Sequence, residues 1–316
     1  MKLSHSILSL LFITLLAAAC EKEVILGSGE TAGNQRYNNL IFANVDITSD
    51  VVYGRAMTQG GVDTELTLDI YEGQGDTESN RPVIIIAHGG GFTGGTKEEE
   101  AELAIYLARA GYLVASIKYR LLDQERNRSR IRKAVVDAAL DMKAAVRFFR
   151  QDAATAGRYR IDSTKIFVGG YSAGAFAALH CGLVQASETN LLGGAEITGH
   201  IEAQGGWEGN SGNPGHSSSV TGVFSQSGAV ISADLVSAGD PAVYSVHGTN
   251  DQVVPYVQGP ADGNDVTVDG PSLYHPRLNQ QNIPNLLRTI QDGNHDAFQK
   301  CSDCGPELRQ FIFSRL

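Results

Sequence analysis

The sequence has no excess of positive charge and few of the residues from which metal sites are built. Lysine and arginine together number 25, against 35 aspartates and glutamates, so the formal net charge is -10. A protein that binds nucleic acid needs a basic surface to meet the phosphate backbone, so this balance argues against nucleic acid as a partner. Four cysteines and eight histidines are spread over 316 residues, and no second cysteine pair or histidine cluster accompanies the single close pair, Cys301 and Cys304, to complete a metal site. We therefore expect no metal.

Long apolar runs are also missing, except at the start of the chain. Residues 7–16 form an apolar run that follows Lys2 and precedes small residues ending at Cys20. This order is typical of a secretory signal peptide, and its core is too short to cross a membrane as a mature helix. The cysteine resembles that of a bacterial lipobox, although Ala17 replaces the usual larger aliphatic residue.

Two outcomes of export follow from this segment. In the first, residues 1–19 are removed and Cys20 carries a lipid, which tethers an exported protein to a bacterial membrane in the periplasm or at the cell surface. In the second, a plain signal peptide is cleaved after the alanines. We adopt the lipoprotein interpretation, in which the lipid anchor is the protein's only contact with the membrane.

The scarcity of cysteine leaves one pair close together in the sequence. In an oxidising compartment, Cys301 and Cys304 can close a small disulfide loop. The competing interpretation of this CSDC segment is a redox or metal half-site. Cys181 lies in an apolar run, where we expect it to be buried and inert.

The rest of the sequence predicts a tether followed by one α/β domain. Residues 20–50 are polar with little periodicity, as in a tether, whereas 51–316 contain no linker that would divide them. Strand-like runs cover residues 65–71, 83–88, 113–120, 165–170, 220–226, 242–248 and 286–291. Helical patterns cover residues 96–112, 132–153 and 306–316. This alternation predicts a mostly parallel central sheet with helices on both faces. The alternating run 65–71 suits an antiparallel edge strand.

Polar motifs follow four of the predicted strands. They are HGGGF (88–92), GYSAG (170–174), HGTND (247–251) and a segment containing His295. Ligands of such sheets bind outside the carboxyl ends of the strands, so we expect these motifs to meet at one edge.

Ser172 is the candidate nucleophile. A strand that turns sharply into a helix lifts its central residue above the sheet, and Gly170 and Gly174 remove the clashes that such a turn creates. The alternative is an ordinary tight turn, in which glycine and serine are common. The apolar strand before Ser172 and the alanine-rich segment after it favour the nucleophile.

A serine needs a base, and the base needs an acid to orient it. We assign the base to His295, after the last strand, with His275 as the reserve candidate. We assign the acid to Asp251, although Asp234 and Asp240 are also in range.

The glycine run supplies the last part of the expected site. Backbone N–H groups of Gly90 and Gly91, together with that of Ala173, can form an oxyanion hole. Glycine leaves these groups uncovered by side chains. The alternative is a flexible glycine loop without such a role.

These motifs, together with ELTLDIYEG (65–73), resemble those of α/β-hydrolase carboxylesterases from about residue 50 to the end of the chain. Similar groups are the hormone-sensitive-lipase-like esterases and the bacterial feruloyl-esterase-like enzymes. The resemblance implies an α/β-hydrolase fold with a small cap or loop insertion, the Ser172, Asp251 and His295 triad, and no cofactor. Tyr171 stands where the lipase-like group has an acid, which favours the feruloyl-esterase-like group.

We expect Phe92, Tyr171 and Trp207 to contact substrate, with Trp207 placed in the cap region between 191 and 219. A buried aromatic side chain that anchors a loop is the alternative for Trp207.

The expected activity is hydrolysis of short-chain, acetyl or aryl esters, including small-molecule or polysaccharide-linked ones. Two alternatives remain open at this point: a serine peptidase of the prolyl-oligopeptidase type, and a non-catalytic surface binding protein. The sequence does not indicate an oligomeric state.

Overall fold

The computed structural model describes residues 36–261 and 265–316. The signal peptide predicted for residues 1–19 and the lipidation of Cys20 lie outside the described residues, so both stay predictions. Within the part that is described, no helix is both long enough and apolar enough to cross a membrane.

An eight-stranded, mostly parallel sheet forms the centre of the domain. Its strand order is β1-β2-β4-β3-β5-β6-β7-β10, and the remaining two strands, β8 and β9, pair as a separate small hairpin. The strands are β1 (Val45–Met57), β2 (Asp63–Gly73), β3 (Arg81–Ala87), β4 (Leu113–Ile117), β5 (Ile161–Tyr171), β6 (Gly222–Gln226), β7 (Ala242–Gly248), β8 (Gln258–Pro260), β9 (Thr267–Asp269) and β10 (Asn285–Ile290). Strands β3 to β7 and β10 run parallel to one another, whereas β1 and β2 are antiparallel to their neighbours. The predicted sheet is therefore confirmed.

Helices cover both faces of the sheet. They are α1 (Ala101–Arg109), α2 (Arg128–Ala154), α3 (Ala173–Leu183), α4 (Ala195–Ala203), α5 (Pro271–Gln280) and α6 (Cys304–Phe313). Strand β3 shows why its sequence is continuously apolar. Val83 and Ile85 pack in the core cluster that contains the α2 and α3 side chains, whereas Ile84 and Ile86 pack in the cluster of α1 and α6.

The predicted tether is too long at its C-terminal end. Strand β1 begins at Val45 and pairs with β2 from that residue onward, and the N–H of Tyr37 donates to Ala110 O at 2.8 Å. Residues 36–50 therefore belong to the folded domain, contrary to the prediction. Most of residues 45–50 are exposed at the edge of the sheet, so they carry little hydrophobic pattern. The prediction that residues 65–71 form an edge strand is also wrong. They belong to β2, which is antiparallel to its neighbours but lies inside the edge strand β1.

The region expected to hold a cap contains only one short helix, α4. It packs on the adjacent 3₁₀ helix, Ala186–Leu192, and on α2, between α3 and β6 in the sequence. A second insertion, which the sequence analysis missed, is the β8–β9 hairpin between β7 and α5. Its strands have three residues each, too short to show a periodic pattern.

The CSDC segment forms the small disulfide loop that its sequence predicts. Cys301 and Cys304 form a disulfide at the start of α6. Cys181 is buried as a free thiol, and burial raises its pKa to about 11. Such a thiol is a poor nucleophile at neutral pH, because only the thiolate reacts readily.

Candidate active site

Ser172 lies at the sharp turn between β5 and α3. Its φ of 52° is in the left-handed region that residues with a side chain rarely adopt. The Ser172 N–H donates to Gln226 O of the neighbouring strand β6 at 2.9 Å, which fixes the turn against the sheet. The backbone thus holds the Ser172 hydroxyl at the N-terminus of α3, above the carboxyl edge of the sheet.

The glycines on either side of Ser172 are required by close packing against β3. A Cβ atom on Gly174 would lie 1.9 Å from the carbonyl oxygen of Ala87, and one on Gly170 would lie 2.3 Å from the same oxygen. Both distances are far inside van der Waals contact, and the obstructing atom belongs to a buried strand. Only glycine therefore fits at these two positions.

We expect Gly174→Ala to lower the free energy of unfolding by about 3 kcal/mol or more, because β3 must move to accommodate the added methyl group. Urea unfolding of the purified variant measures this loss. The matched control is Gly199→Ala in α4, where an added Cβ meets nothing within 4 Å. Helix propensity should stabilise that variant by about 0.5–1 kcal/mol. Equal stability of the two variants would contradict the packing argument.

Ser172, His295 and Asp251 form one chain of hydrogen bonds. The His295 Nε2 atom lies 2.8 Å from Ser172 Oγ, and its Nδ1 atom lies 2.8 Å from Asp251 Oδ2. A carboxylate only accepts, so we assign the imidazole proton to Nδ1. The Nε2 lone pair of His295 then faces the Ser172 hydroxyl. The structure thus brings together the three residues that the sequence analysis selected.

The Asp251 carboxylate is buried and is held at both oxygens. Its Oδ1 atom accepts from the N–H groups of Val253 and Val254 at 2.8 and 2.9 Å. Burial by itself would raise the pKa of Asp251, but hydrogen bonds from His247, His295 and the Val254 N–H outweigh it. The pKa of Asp251 is therefore well below its usual range, and the side chain is an anion at neutral pH.

The alternative residues for these two positions lie elsewhere. His275 is buried in α5, where its ring nitrogens contact Asn285 Oδ1 and Ser245 Oγ. Asp234 forms an exposed ion pair with Arg277. Neither is hydrogen-bonded to Ser172 or His295.

The glycine loop after β3 lies beside Ser172 in a left-handed backbone conformation, which is strained only at Phe92. Gly90, Gly91 and Phe92 all have positive φ, at 104°, 59° and 63°. A Cβ on Gly90 would lie 2.1 Å from Gly94 O, so this position requires glycine. Within the described residues, no hydrogen bond uses the N–H of Gly90 or Gly91. The Ala173 N–H also has no helical partner, because it is in the first turn of α3.

Side chains beneath this loop hold it in place. The Tyr119 hydroxyl lies 2.9 Å from His88 O and 3.2 Å from Gly89 O, and donates to these carbonyls. The Tyr119 ring also stacks on the His88 imidazole, with 4.4 Å between the ring centres. Burial lowers the pKa of His88, so its ring is neutral, and its Nδ1–H donates to Gly89 O at 2.8 Å.

Ser172 and His295 open into a cavity of about 410 Å³ with mostly apolar walls. Side chains of several elements form these walls, among them Ile131, Val135, Phe176, Ile231, Val266 and Val268. Arg126, from the segment before α2, adds a charged side chain to the lining. The sequence does not identify these wall residues, because helical spacing predicts that α2 is a core helix without showing which of its side chains face an opening.

Two of the three predicted contact residues line the cavity. Phe92 and Tyr171 both do so, and the Tyr171 ring lies 5.0 Å from the His295 ring. Burial raises the pKa of Tyr171 to about 12, so its hydroxyl stays protonated at neutral pH.

The prediction for Trp207 is wrong. Trp207 is buried away from the cavity, where its indole N–H donates to Val184 O at 2.7 Å and its ring packs under Lys143. It anchors the loop after α4 to the end of α3, which is the structural alternative stated above. Its burial depends on the packing of α2 against α3, which sequence position does not show.

Comparison with solved structures identifies the fold as that of the α/β-hydrolases. A thermophilic esterase from the Planctomycetes species Thermogutta terrifontis, with butyrate bound, has a TM-score of 0.60 and 18% identity, covering 86% of this chain and 94% of its own. The same organism's esterase 2, phosphonylated by cyclosarin, has a TM-score of 0.59 at 19% identity, covering 86% and 95%. A truncated carbohydrate esterase from gut microbiota has a TM-score of 0.60 at 19% identity, covering 89% and 99%.

The family follows from a second comparison. The BD-FAE family model matches residues 68–228, just over half of the sequence, and includes the HGGGF and GYSAG motifs. The chain therefore belongs to the BD-FAE family, and with it to the esterases of the α/β-hydrolase fold. A search of curated proteins finds no match.

Proposed function

We propose that the protein hydrolyses carboxylic esters by a covalent serine mechanism in which Ser172, His295 and Asp251 are the catalytic triad. The observation that carries the proposal is the unbroken hydrogen-bond chain from Asp251 through His295 to Ser172, which opens into an apolar cavity. Family membership supports the same reaction class.

In this mechanism the Ser172 hydroxyl attacks the ester carbonyl while His295 Nε2 takes its proton. Asp251 keeps the second imidazole proton on Nδ1 and stabilises the imidazolium that forms. His295 then returns the proton to the leaving alcohol, which gives an acyl-enzyme. A water molecule repeats the two steps, so that the acid is released and Ser172 is regenerated. The proton transfers are complete within this set of residues, and the proposal assigns no cofactor.

The attack places a negative charge on the former carbonyl oxygen, which needs hydrogen-bond donors already in position. Gly90, Gly91 and Ala173 line the cavity next to Ser172, and among the described residues their N–H groups have no hydrogen-bond partner. We assign them to the oxyanion hole. Tyr119 fixes the loop that carries Gly90 and Gly91 through its hydrogen bonds to His88 O and Gly89 O, so these two donors need little reorganisation during the reaction.

The cavity favours esters with an apolar acyl or aryl group. Its walls are built mainly from valine, isoleucine and phenylalanine side chains, with Ser172, His295 and Arg126 among the few polar groups. We propose short-chain, acetyl and aryl esters as substrates, including polysaccharide-linked ones. The folds shared with a butyrate-bound esterase and with a carbohydrate esterase support this choice.

The test is hydrolysis of a p-nitrophenyl ester series from acetyl to decanoyl, with p-nitroanilides of the same acyl groups as matched amides. We expect turnover of the short esters, a decline once the acyl chain outgrows the cavity, and slower cleavage of every amide. Absence of ester turnover by folded protein would refute the proposal. Faster amide cleavage would indicate a peptidase instead.

A further inference from the structure

His247 is a buried histidine beside the proposed triad to which the mechanism above gives no role. It is the penultimate residue of β7, its side chain is 1% exposed, and it belongs to the same HGTND motif as Asp251. Its Nε2 atom lies 2.9 Å from Val254 O and 3.2 Å from Asp251 Oδ2. A carbonyl oxygen only accepts hydrogen bonds, so Nε2 carries a proton and donates.

Both acceptors of this proton belong to the turn that carries the acid. The Oδ1 atom of Asp251 is already occupied by the N–H groups of Val253 and Val254. The Oδ2 atom accepts hydrogen bonds from the Nδ1–H of His295 and from the Nε2–H of His247. His247 is therefore a side-chain donor to the same carboxylate oxygen that contacts the base.

We propose that His247 is a positioning residue that orients Asp251 Oδ2 toward His295 and limits the negative charge on that oxygen. This inference rests on the proposed esterase function. By holding Val254 O as well, His247 fixes both ends of the Asp251–Val254 turn relative to β7. The carboxylate then cannot rotate away from the base, and its charge is shared between two donors.

Few other titratable groups face this pair. The Tyr256 ring packs edge-on against His247 at 5.9 Å, and the Tyr171 ring lies against His295. Asp296 follows His295 in sequence but is ion-paired with Lys300 at 2.6 Å. Among the described side chains, only the two histidines donate to the Asp251 carboxylate.

Loss of the His247 donor has two expected effects on catalysis. An Asp251 carboxylate that can rotate holds His295 less well, so kcat falls while KM changes little, since His247 is absent from the cavity lining. Without the His247 donor, the negative charge on Asp251 Oδ2 is also neutralised less, and this favours the imidazolium form of His295. The acid limb of kcat/KM against pH therefore moves to higher pH.

The experiment compares His247→Asn with His247→Gln. Both variants are amides, but only the longer glutamine can place an N–H where the Nε2 of His247 lies. We expect H247N to lose kcat on the order of 10- to 100-fold, the usual range for a hydrogen bond to a charged group. Its KM should be nearly unchanged and its acid limb shifted upward. H247Q should recover most of the rate and restore the acid limb.

His275→Asn is the matched control, because it replaces another buried histidine with partners outside the site. Its kcat and acid limb should equal those of the parent protein, and thermal melting verifies that each variant is folded. The proposal is wrong if H247N keeps the parent kcat and acid limb. It is also wrong if H247Q is as impaired as H247N. Absence of ester turnover by the parent protein would refute the esterase function instead.

Discussion

Replacing Ser172 by alanine is expected to lower kcat for p-nitrophenyl acetate by roughly 10⁶-fold, the size of effect known for loss of a serine nucleophile in a triad hydrolase. The hydroxyl removed is the group that bonds to the ester carbonyl, and no other described hydroxyl is hydrogen-bonded to His295 Nε2. Stability should change little. Alanine keeps the Cβ that the turn already accommodates, and the backbone bond from residue 172 to Gln226 O remains.

The matched control is Ser218→Ala. Ser218 is also buried and hydrogen-bonded, but its partner is Glu208, and it does not line the cavity. We expect this variant to hydrolyse the ester at the parent rate. Full activity of S172A, measured on protein freshly purified and free of contaminating esterase, would refute the proposed nucleophile.

Asp251→Asn is expected to lower kcat by roughly 10⁴-fold with little change in KM, the size of effect known for loss of a triad carboxylate. The backbone N–H groups of Val253 and Val254 both donate to Oδ1, so the amide oxygen of asparagine takes that position. The amide NH₂ then faces His295 Nδ1, which must accept. The imidazole proton then lies on Nε2, facing Ser172. Nε2 therefore has no free lone pair with which to accept the serine proton.

The control for this change is Asp234→Asn, which removes a carboxylate that is paired with Arg277 on the surface. Steady-state kinetics on the same ester should show parent values for D234N. A decrease of less than tenfold in D251N would mean that Asp251 does not determine the protonation of His295. The proposed triad would then need a different acid.

The candidate site was predictable because each of its parts has a local signal. An apolar run followed by a polar motif marks the end of a strand, and parallel strands bring their carboxyl ends to one edge. In the structure, Ser172 follows β5, Asp251 follows β7 and His295 follows β10. The long strands and helices were recognisable for a related reason, because their apolar residues are buried on one or both faces.

The parts that could not be predicted depend on packing between segments distant in sequence. Strand β1 lies at an exposed edge, so its outer residues show no hydrophobic pattern. Trp207 is buried by α2 and α3, and nothing near it in sequence indicates which surface it contacts. The role inferred for His247 likewise requires the distance to Asp251, since a histidine at the end of a buried strand is otherwise an ordinary core residue.

The most direct test of the proposed mechanism is reaction of the purified protein with a fluorophosphonate, followed by intact-protein and peptide mass spectrometry. A fluorophosphonate bonds to a serine only when a base and an oxyanion hole activate it. The geometry of Ser172, His295 and the glycine loop predicts one adduct per chain, located on Ser172 and absent from S172A. No adduct on folded protein, or an adduct on another residue, would contradict this account.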